Sequence, residues 1–204
     1  MVVLTPGQYG SKITYELKNL AAKKINFLKN IFSYDIQLSY YPCDTVPVKI
    51  TLMGEKMNYE IVTLEKKIVA GVSARTSNNS PDMYSTIGGL WQKLYRGIAQ
   101  SMKNRANKKA IGLYCDYNED GTYTVLTGCE VTADPQDGNL DVKTIPAGRY
   151  AKFTVKGDVA KAVGDSWSEI WNTPLERTFT GDFEEYQEDC DGKSGTIFIY
   201  IAIK

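Results

Sequence analysis

The stretch RTFTGDFEEYQEDC, residues 177–190, alternates like a β-strand and has two adjacent carboxylates, Glu184 and Glu185, at its centre. Successive side chains of a strand point to opposite faces of the sheet. If one face is buried, the two carboxylates cannot both point at water. We therefore expect one of them to point inward, among aromatic side chains.

The composition is that of a globular protein of ordinary size. The chain has 204 residues, of which 43% are hydrophobic and 24% are charged, and this length supplies a sizeable core. Lys plus Arg and Asp plus Glu are both 24, so no excess of charge argues for nucleic acid or membrane as a partner. Most of the fourteen tyrosines and three tryptophans are expected to fill the core.

The compartment is predicted from the termini and the cysteines. The start, MVVLTPGQYG, lacks a basic segment followed by an apolar run, and the apolar run at 197–203 is too short to span a bilayer. The hairpin predicted around the NEDG turn pairs Cys115 with Thr124 rather than with Cys129. We therefore expect reduced thiols in a cytoplasmic protein.

Residues 1–56 differ in character from the rest of the chain. Residues 12–30 carry apolar side chains at helical spacing and a lysine-rich opposite face, which predicts a linker helix. A membrane-surface helix and a nucleic-acid-binding arm are the alternatives. Residues 40–56 contain two prolines and are predicted to form an extended connector.

From Met57 onwards the patterns predict regular elements. Two short strands are expected around a turn at 65–67, followed by a helix at 84–103 and strands at 110–116 and 122–131. The same order then recurs, with a strand at 145–155, a helix at 159–172 and strands at 177–187 and 195–204.

Landmarks in these two series match at nearly constant offsets of 77, 76 and 74 residues: Gly71 with Gly148, Trp91 with Trp167, and Gly121 with Gly195. The simplest explanation is an internal duplication of a strand-helix-strand-strand unit. The two units need each other to cover their sheets. We predict an α+β fold, a curved antiparallel sheet with two main helices and a central ligand groove.

Three motifs carry a family resemblance: IPAGRYAKFTVKG at 145–157, W-x-x-x-W at 167–171, and R-x-F-x-x-D-F-E-x-Y at 177–186. With the terminal apolar strand, they resemble the gyrase inhibitor-like (GyrI-like) effector-binding domain. That domain occurs alone, in multidrug-responsive regulators and behind AraC-type DNA-binding domains. The resemblance covers residues 57–204.

A second resemblance lies at the start of the chain. LTPGQYG, residues 4–10, is similar to the T-P-x-x-Y-R ending of an AraC-type helix-turn-helix domain, with Gly10 where the family has arginine. It implies that 1–56 are the tail of such a domain plus a connector. DNA would then be a partner only through a helix-turn-helix domain that this chain lacks.

The resemblance implies that Glu184 lies at the bottom of a binding cavity. A carboxylate in an apolar cavity needs hydrogen bonds or a cation, and aromatic walls also favour a cation. The expected partner is therefore an amphipathic, cationic small molecule. The predicted ligand-binding residues are Glu184, Tyr186, Trp171, Tyr150, Tyr114, Tyr123, Trp91 and Phe183.

Other chemistry has little support in the sequence. The chain contains no histidine, which excludes Ser-His-Asp and Cys-His arrangements and histidine metal sites. Walker spacing is absent, and we predict no cofactor, metal or catalytic residue. Two alternatives stay open beside an effector domain: a stand-alone hydrolase of cyclopropane-containing compounds with Glu184 as general base, and a gyrase-inhibitor-like protein-binding module.

Overall fold

The computed structural model describes residues 57–204 and the backbone of two strands in the preceding segment. The chain divides into two compact units, Met1–Lys56 and Met57–Lys204. In the first unit, β1 (Tyr34–Leu38) and β2 (Ile50–Gly54) pair in antiparallel orientation. The other elements belong to the second unit.

The predictions for the N-terminal segment are only partly covered by this description. β2 falls within residues 40–56, which were predicted to form an extended connector. The predicted basic helix at 12–30 lies outside the described residues. The interpretation of 1–56 as the tail of an AraC-type domain stays a prediction.

Within the second unit the structure describes one antiparallel sheet of eight strands and two principal helices. The strands are β3 (Tyr59–Leu64), β4 (Lys67–Ser77), β5 (Ala110–Cys115), β6 (Thr122–Val131), β7 (Asp141–Ile145), β8 (Gly148–Asp158), β9 (Asp182–Tyr186) and β10 (Ser194–Ile203). The helices are α1 (Met83–Lys93) and α2 (Val159–Trp171). The predicted α+β fold class is confirmed, and the structure adds β7, which the sequence patterns did not predict.

The sheet order, β3-β8-β10-β9-β5-β6-β4-β7, shows the duplication directly. Its two repeats, β4-α1-β5-β6 and β8-α2-β9-β10, meet at the central strands β5 and β9, where Gly112 lies opposite Glu184. β3 and β4 are consecutive in sequence but do not pair. Instead β3 pairs with β8 of the second repeat, and β7 pairs with β4 of the first repeat. Each repeat is thus completed at its outer edge by the strand that precedes the other repeat.

The first helix is interrupted, although the sequence predicted one continuous helix over 84–103. α1 continues into a π-helical segment, Leu94–Ile98, and a last α-helical turn, Ala99–Ser101. A π-helical insertion is a recognised cause of a kink. Leu90, Leu94 and Ala99 are nevertheless buried, so the apolar stripe continues through the kink. None of the helices that the structure describes is long and apolar enough to cross a bilayer.

Helix α2 has a clear start and one buried stripe. The Asp158 carboxylate accepts a hydrogen bond of 2.8 Å from the backbone N–H of Lys161, which caps the first turn. Ser166 and Ile170, four residues apart, are buried, as helical periodicity requires for one face. The stripe fixes which side of α2 faces the sheet.

The two faces of the sheet have separate cores. One core joins the helices to the sheet, through Leu94 of the π-helical segment and Ile170 of α2. The other core consists of strand residues, among them Leu113 and Phe183. An ion pair of 3.5 Å joins Lys67 of β4 to Glu185 of β9 across two intervening strands. Because neighbouring strands are about 4.8 Å apart, the sheet must be curved at this point.

The cysteine geometry agrees with the sequence prediction for the hairpin. Cys115 lies opposite Thr124 in the β5–β6 register. Cys115, Cys129 and Cys190 are free thiols. Burial raises the pKa of the Cys115 thiol to about 12, so this thiol is protonated and inert at neutral pH.

Candidate ligand-binding site

The five residues of β9, DFEEY, are all buried. Glu184 is 2% exposed and Glu185 is 3% exposed. Strand alternation places Asp182, Glu184 and Tyr186 on the face that carries the helices, and Phe183 and Glu185 on the other. Both carboxylates are therefore inside the protein, one on each side of the sheet.

The Glu184 carboxylate is held by three neutral donors. Its Oε1 atom accepts hydrogen bonds from the Tyr114 hydroxyl at 2.8 Å and from the Trp167 indole N–H at 2.6 Å. Its Oε2 atom accepts one from the Tyr186 hydroxyl at 2.7 Å. Burial raises the pKa of Glu184, and these three hydrogen bonds lower it only in part. No lysine or arginine of the described residues forms an ion pair with it.

The neighbouring Glu185 is held by cations. Its carboxylate accepts hydrogen bonds from Lys109 at 2.9 Å and from the side-chain amide of Gln187 at 2.8 Å, and Lys67 lies 3.5 Å away. Burial opposes ionisation of Glu185, but the Gln187 hydrogen bond and the two lysines outweigh burial and lower its pKa. Unlike Glu184, Glu185 has its counter-charges within the protein.

A cavity of about 890 Å³ lies over the helix-bearing face, with Glu184 in its lining. The large hydrophobic side chains that remain exposed in the described residues lie mostly at this cavity: Tyr84, Tyr95, Trp171 and Phe179. Exposed apolar groups that cluster in this way mark binding surfaces. The charged residues of the lining are Arg96, Arg177 and Glu184.

The duplicated units contribute matching aromatic walls. Trp91 and Tyr95 of the first helix stack with ring centroids 5.8 Å apart, and Trp167 and Trp171 of α2 pack at 6.3 Å. Trp91 also packs edge-on against Tyr186 at 4.7 Å. The cavity is therefore lined by aromatic side chains from both repeats of the second unit.

Comparison with known protein families identifies the family of the chain. The family model of the integron-associated effector binding proteins (Cass2) matches residues 60–203. The chain belongs to this family. The resemblance to gyrase inhibitor-like effector-binding domains, predicted from the sequence motifs, is thereby confirmed.

Individual relatives of this effector-binding family agree with the assignment. The Bacillus subtilis (strain 168) protein named "Putative transcriptional regulator protein YobU" is 34% identical over 159 residues, which are 71% of this chain and 96% of that protein. The integron cassette protein VCH_CASS2 of Vibrio cholerae is 30% identical, with a TM-score of 0.60, over 72% of this chain and 95% of that one. The second unit is thus an effector-binding domain related to regulators.

A further solved structure shares the fold. The protein SAV2435, whose structure is that of a complex with tetraphenylphosphonium, has a TM-score of 0.62 and 22% identity. The alignment covers 72% of this chain and 94% of that chain. At this level of identity the likeness shows the common fold of the two proteins.

In this effector-binding domain most of the predicted site residues come together. The residues that line the cavity are Glu184, Tyr186, Trp171, Tyr114, Tyr123 and Trp91. Tyr150 and Phe183 do not line it and need correction. Both point to the other face of the sheet, where the Tyr150 hydroxyl donates to the Pro146 carbonyl at 2.8 Å and Phe183 stacks on Tyr200 at 4.4 Å.

The physical reason for this correction differs between the two residues. Phe183 precedes Glu184 on one strand, so alternation requires it to face away from the cavity. Tyr150 lies on β8, which is separated from β9 by β10, and no sequence pattern gave its facing. That a ligand contacts the six lining residues stays a prediction.

Sequence reasoning did not select Trp167, which is a direct partner of Glu184. Its helical spacing is compatible with core packing, and Trp171 lies nearer the DFEEY strand in sequence. Trp167 and Trp171 are four residues apart and share one helix face, so a cavity that contains Trp171 would also be expected to contain Trp167. This spacing was the available signal.

A buried ion pair beside the cavity was also missed. The fully buried Asp182 forms a close ion pair with Arg177 and accepts hydrogen bonds from the Tyr117 hydroxyl at 3.0 Å and the Ala202 N–H at 2.8 Å. Burial and the charge of Asp182 raise the pKa of Tyr117. The Arg177 guanidinium lies 4.6 Å from the centre of the Phe179 ring.

Among the described residues, no group of three or more Asp, Glu, Cys or His side chains could hold a metal ion.

Gly112 provides room at the centre of the site. It lies opposite Glu184 in the β5–β9 register. A Cβ atom at this position would lie 3.0 Å from Cζ2 of Trp91 and 3.3 Å from Oε2 of Glu184. The absence of a side chain therefore lets the Trp91 ring approach the strand next to the carboxylate.

Proposed function

We propose that the effector-binding domain, residues 57–204, binds amphipathic organic cations, with Glu184 as the charge-complementary floor of its cavity. The observation that carries this proposal is the set of partners around Glu184. The carboxylate is buried, its three hydrogen-bond donors are neutral, and its pKa is raised.

The energetics favour a cationic guest. A buried carboxylate is costly unless hydrogen bonds and opposite charge compensate it. Glu184 has the hydrogen bonds but no counter-charge among the described residues, whereas Glu185 has both. Of the two cationic residues of the cavity lining, Arg177 is already paired with Asp182, and Arg96 forms no ion pair with Glu184. A cation that enters the cavity would supply the missing charge.

The aromatic walls fit the apolar part of such a ligand. A cation over the face of an aromatic ring is attracted by roughly 0.5–2 kcal/mol. Rings from both repeats line the cavity, so a lipophilic cation could be in contact with aromatic faces on two sides. Walls of this kind select for charge and area more than for one shape, which supports binding of more than one such compound.

A direct test is titration calorimetry with tetraphenylphosphonium, the lipophilic cation in the SAV2435 complex. We expect a dissociation constant on the order of micromolar for the unmodified protein. Glu184→Gln should weaken binding by about tenfold or more, because it removes the buried charge and keeps the shape. The matched control is Glu169→Gln, the same change at an exposed position of α2, which should bind normally.

The proposal would be abandoned if Glu184→Gln, folded as judged by circular dichroism, bound tetraphenylphosphonium as tightly as the unmodified protein. Equal losses in both glutamine variants would also contradict it. Such losses would mean that net charge, rather than the buried carboxylate, attracts the cation.

We also propose that the domain serves an AraC-type transcriptional regulator. LTPGQYG at residues 4–10 supports this assignment, and the name of the Bacillus subtilis relative supports a regulatory role. The gene sequence immediately upstream of the Met1 codon tests it. An in-frame helix-turn-helix is the expected finding, and an unrelated or terminated frame would argue against the AraC type.

A further inference from the structure

The duplication places one tryptophan of each unit beside a central tyrosine. Trp91 packs edge-on against Tyr186 with centroids 4.7 Å apart, and Trp167 packs edge-on against Tyr114 at 5.2 Å. Both tyrosines donate to Glu184. The two tryptophans therefore have equivalent neighbours on either side of one carboxylate.

The indole N–H groups of these tryptophans are used differently. The N–H of Trp167 donates to Oε1 of Glu184 at 2.6 Å. The N–H of Trp91 has no acceptor among the described residues. In the described residues, the fully enclosed side-chain N and O atoms without a partner are Arg105 Nε, Thr127 Oγ1 and Arg177 Nε. The Trp91 nitrogen is not among them, so it is an unused donor that is not fully enclosed, on a ring that lines the cavity.

Gly112, on the strand beneath Trp91, supplies no side-chain acceptor for this N–H. The residue opposite Glu184 is Gly112, and any side chain there would begin only 3.0 Å from the Trp91 ring. The first repeat therefore presents a free donor, the Trp91 N–H, where the second repeat presents the Trp167 N–H, which is already bound to Glu184. Water can accept a hydrogen bond from an exposed N–H, so a ligand that displaces this water has to supply the acceptor itself.

We propose that the Trp91 indole N–H donates a hydrogen bond to the ligand, and that preferred ligands are organic cations with a neutral acceptor, such as an ether or carbonyl oxygen. This inference rests on the proposed function and narrows its ligand class. The cationic end is attracted by Glu184, and the acceptor end binds Trp91.

The same donor also discriminates against ligands that lack an acceptor. A purely hydrocarbon ligand that covers Trp91 removes water from the N–H and returns no hydrogen bond. Sites built to hydrogen-bond one ligand reject its apolar analogue for this reason. The selectivity therefore depends on a single nitrogen atom and can be removed without removing the aromatic ring.

The test uses pairs of phosphonium ions that differ by one atom. (3-Methoxypropyl)triphenylphosphonium and pentyltriphenylphosphonium have the same length, with an oxygen in place of one methylene group, and two- and four-carbon tethers vary the position of the oxygen. For the tether that places the oxygen best, we expect Trp91→Phe to lower the ratio of ether affinity to alkyl affinity by about three- to tenfold relative to the unmodified protein. Using the ratio cancels the effect of the smaller ring.

Trp167→Phe is the matched control. It removes the indole N–H that binds Glu184, so it should change the affinities for the ether and the alkyl compound by the same factor. An ether-to-alkyl ratio that is equal in the unmodified protein and in Trp91→Phe, for every tether length, overturns the inference.

The failure of this inference can be told apart from failure of the proposed function. If alkyl phosphonium ions bind in a manner that depends on Glu184, but the ratio ignores Trp91, only the acceptor-bearing ligand class is wrong. If neither the ether nor the alkyl compounds bind the unmodified protein, both proposals fall together.

Discussion

Glu184 and Glu185 are consecutive and both buried, but their electrostatic environments are opposite. Glu185 has two lysines and an amide around it, and its pKa is lowered. Glu184 has two hydroxyls and an indole N–H, and its pKa is raised. The comparison teaches that burial alone does not determine whether the pKa of a carboxylate is raised or lowered. The nature of the partners does.

The largest expected difference between the two carboxylates is in folding stability. Glu185→Gln removes charge-assisted hydrogen bonds and leaves two lysines without their shared partner, so it should lower the free energy of unfolding by about 2–3 kcal/mol. Glu184→Gln removes a buried charge that has no cation, and it should cost less than about 1 kcal/mol. Urea denaturation of both variants measures the difference.

Ligand binding should show the reverse order, which makes the pair of variants its own control. Glu185→Gln, once folded, should bind tetraphenylphosphonium normally, since Glu185 faces away from the cavity. A variant pair in which both stability and binding respond equally would contradict the division of roles between the two faces.

The second prediction concerns pH. The ordinary pKa of glutamate is 4.5. Because the folded-state pKa of Glu184 is raised, the folded protein binds its proton more tightly, and Glu184 contributes more stability as pH falls through that raised value. The pKa of Glu185 is lowered, so its contribution is present above 4.5 and is lost as pH falls through the folded value.

Urea denaturation from pH 7 to about pH 3 separates these two signs. The deficit of Glu185→Gln relative to the unmodified protein should shrink with acidification. The stability of Glu184→Gln relative to the unmodified protein should instead decrease as pH falls. If both differences changed in the same direction, the electrostatic contrast would be refuted.

The smallest predicted effect concerns one hydroxyl group. Tyr114→Phe removes a donor from Oε1 of Glu184, which should raise the pKa of Glu184 further. Tetraphenylphosphonium binding should then be lost at a higher pH than in the unmodified protein. Tyr123→Phe is the matched control, because that hydroxyl donates to Asn78 at 2.7 Å and not to Glu184. Equal midpoints in both variants would mean that the Tyr114 hydroxyl does not stabilise the charged form of Glu184.

Local patterns in the sequence were sufficient for much of the fold. Apolar spacing located α2 to within one residue at its end, and the NEDG turn gave the register in which Cys115 lies opposite Thr124. β7 was missed because DVKTI is short and mostly exposed, so it has little apolar alternation. The pairing of β3 with β8 and of β7 with β4, which exchanges strands between the two repeats, is long-range and is not encoded in local patterns.

The candidate site was predictable where a side chain's direction follows from its own element. Strand alternation places Glu184 and Tyr186 on one face, and it also excludes Phe183, although Phe183 was retained as a candidate. The sequence could not reveal that Trp167 reaches Glu184, because that contact depends on how α2 crosses the sheet. The facing of Tyr150 likewise depends on the register with β10.

The reciprocal placement of β3 and β7 makes the two repeats one cooperative folding unit. The repeats cannot separate without breaking the backbone hydrogen bonds of β3 with β8 or of β7 with β4, so partial unfolding of one repeat should propagate to the other. A polypeptide with one repeat alone, whose leading strand does not pair with the strand that follows it, would leave both that leading strand and its own outer edge unpaired. Two such polypeptides could complete each other as a strand-exchanged homodimer, which gives a physical route by which the duplicated form could have arisen.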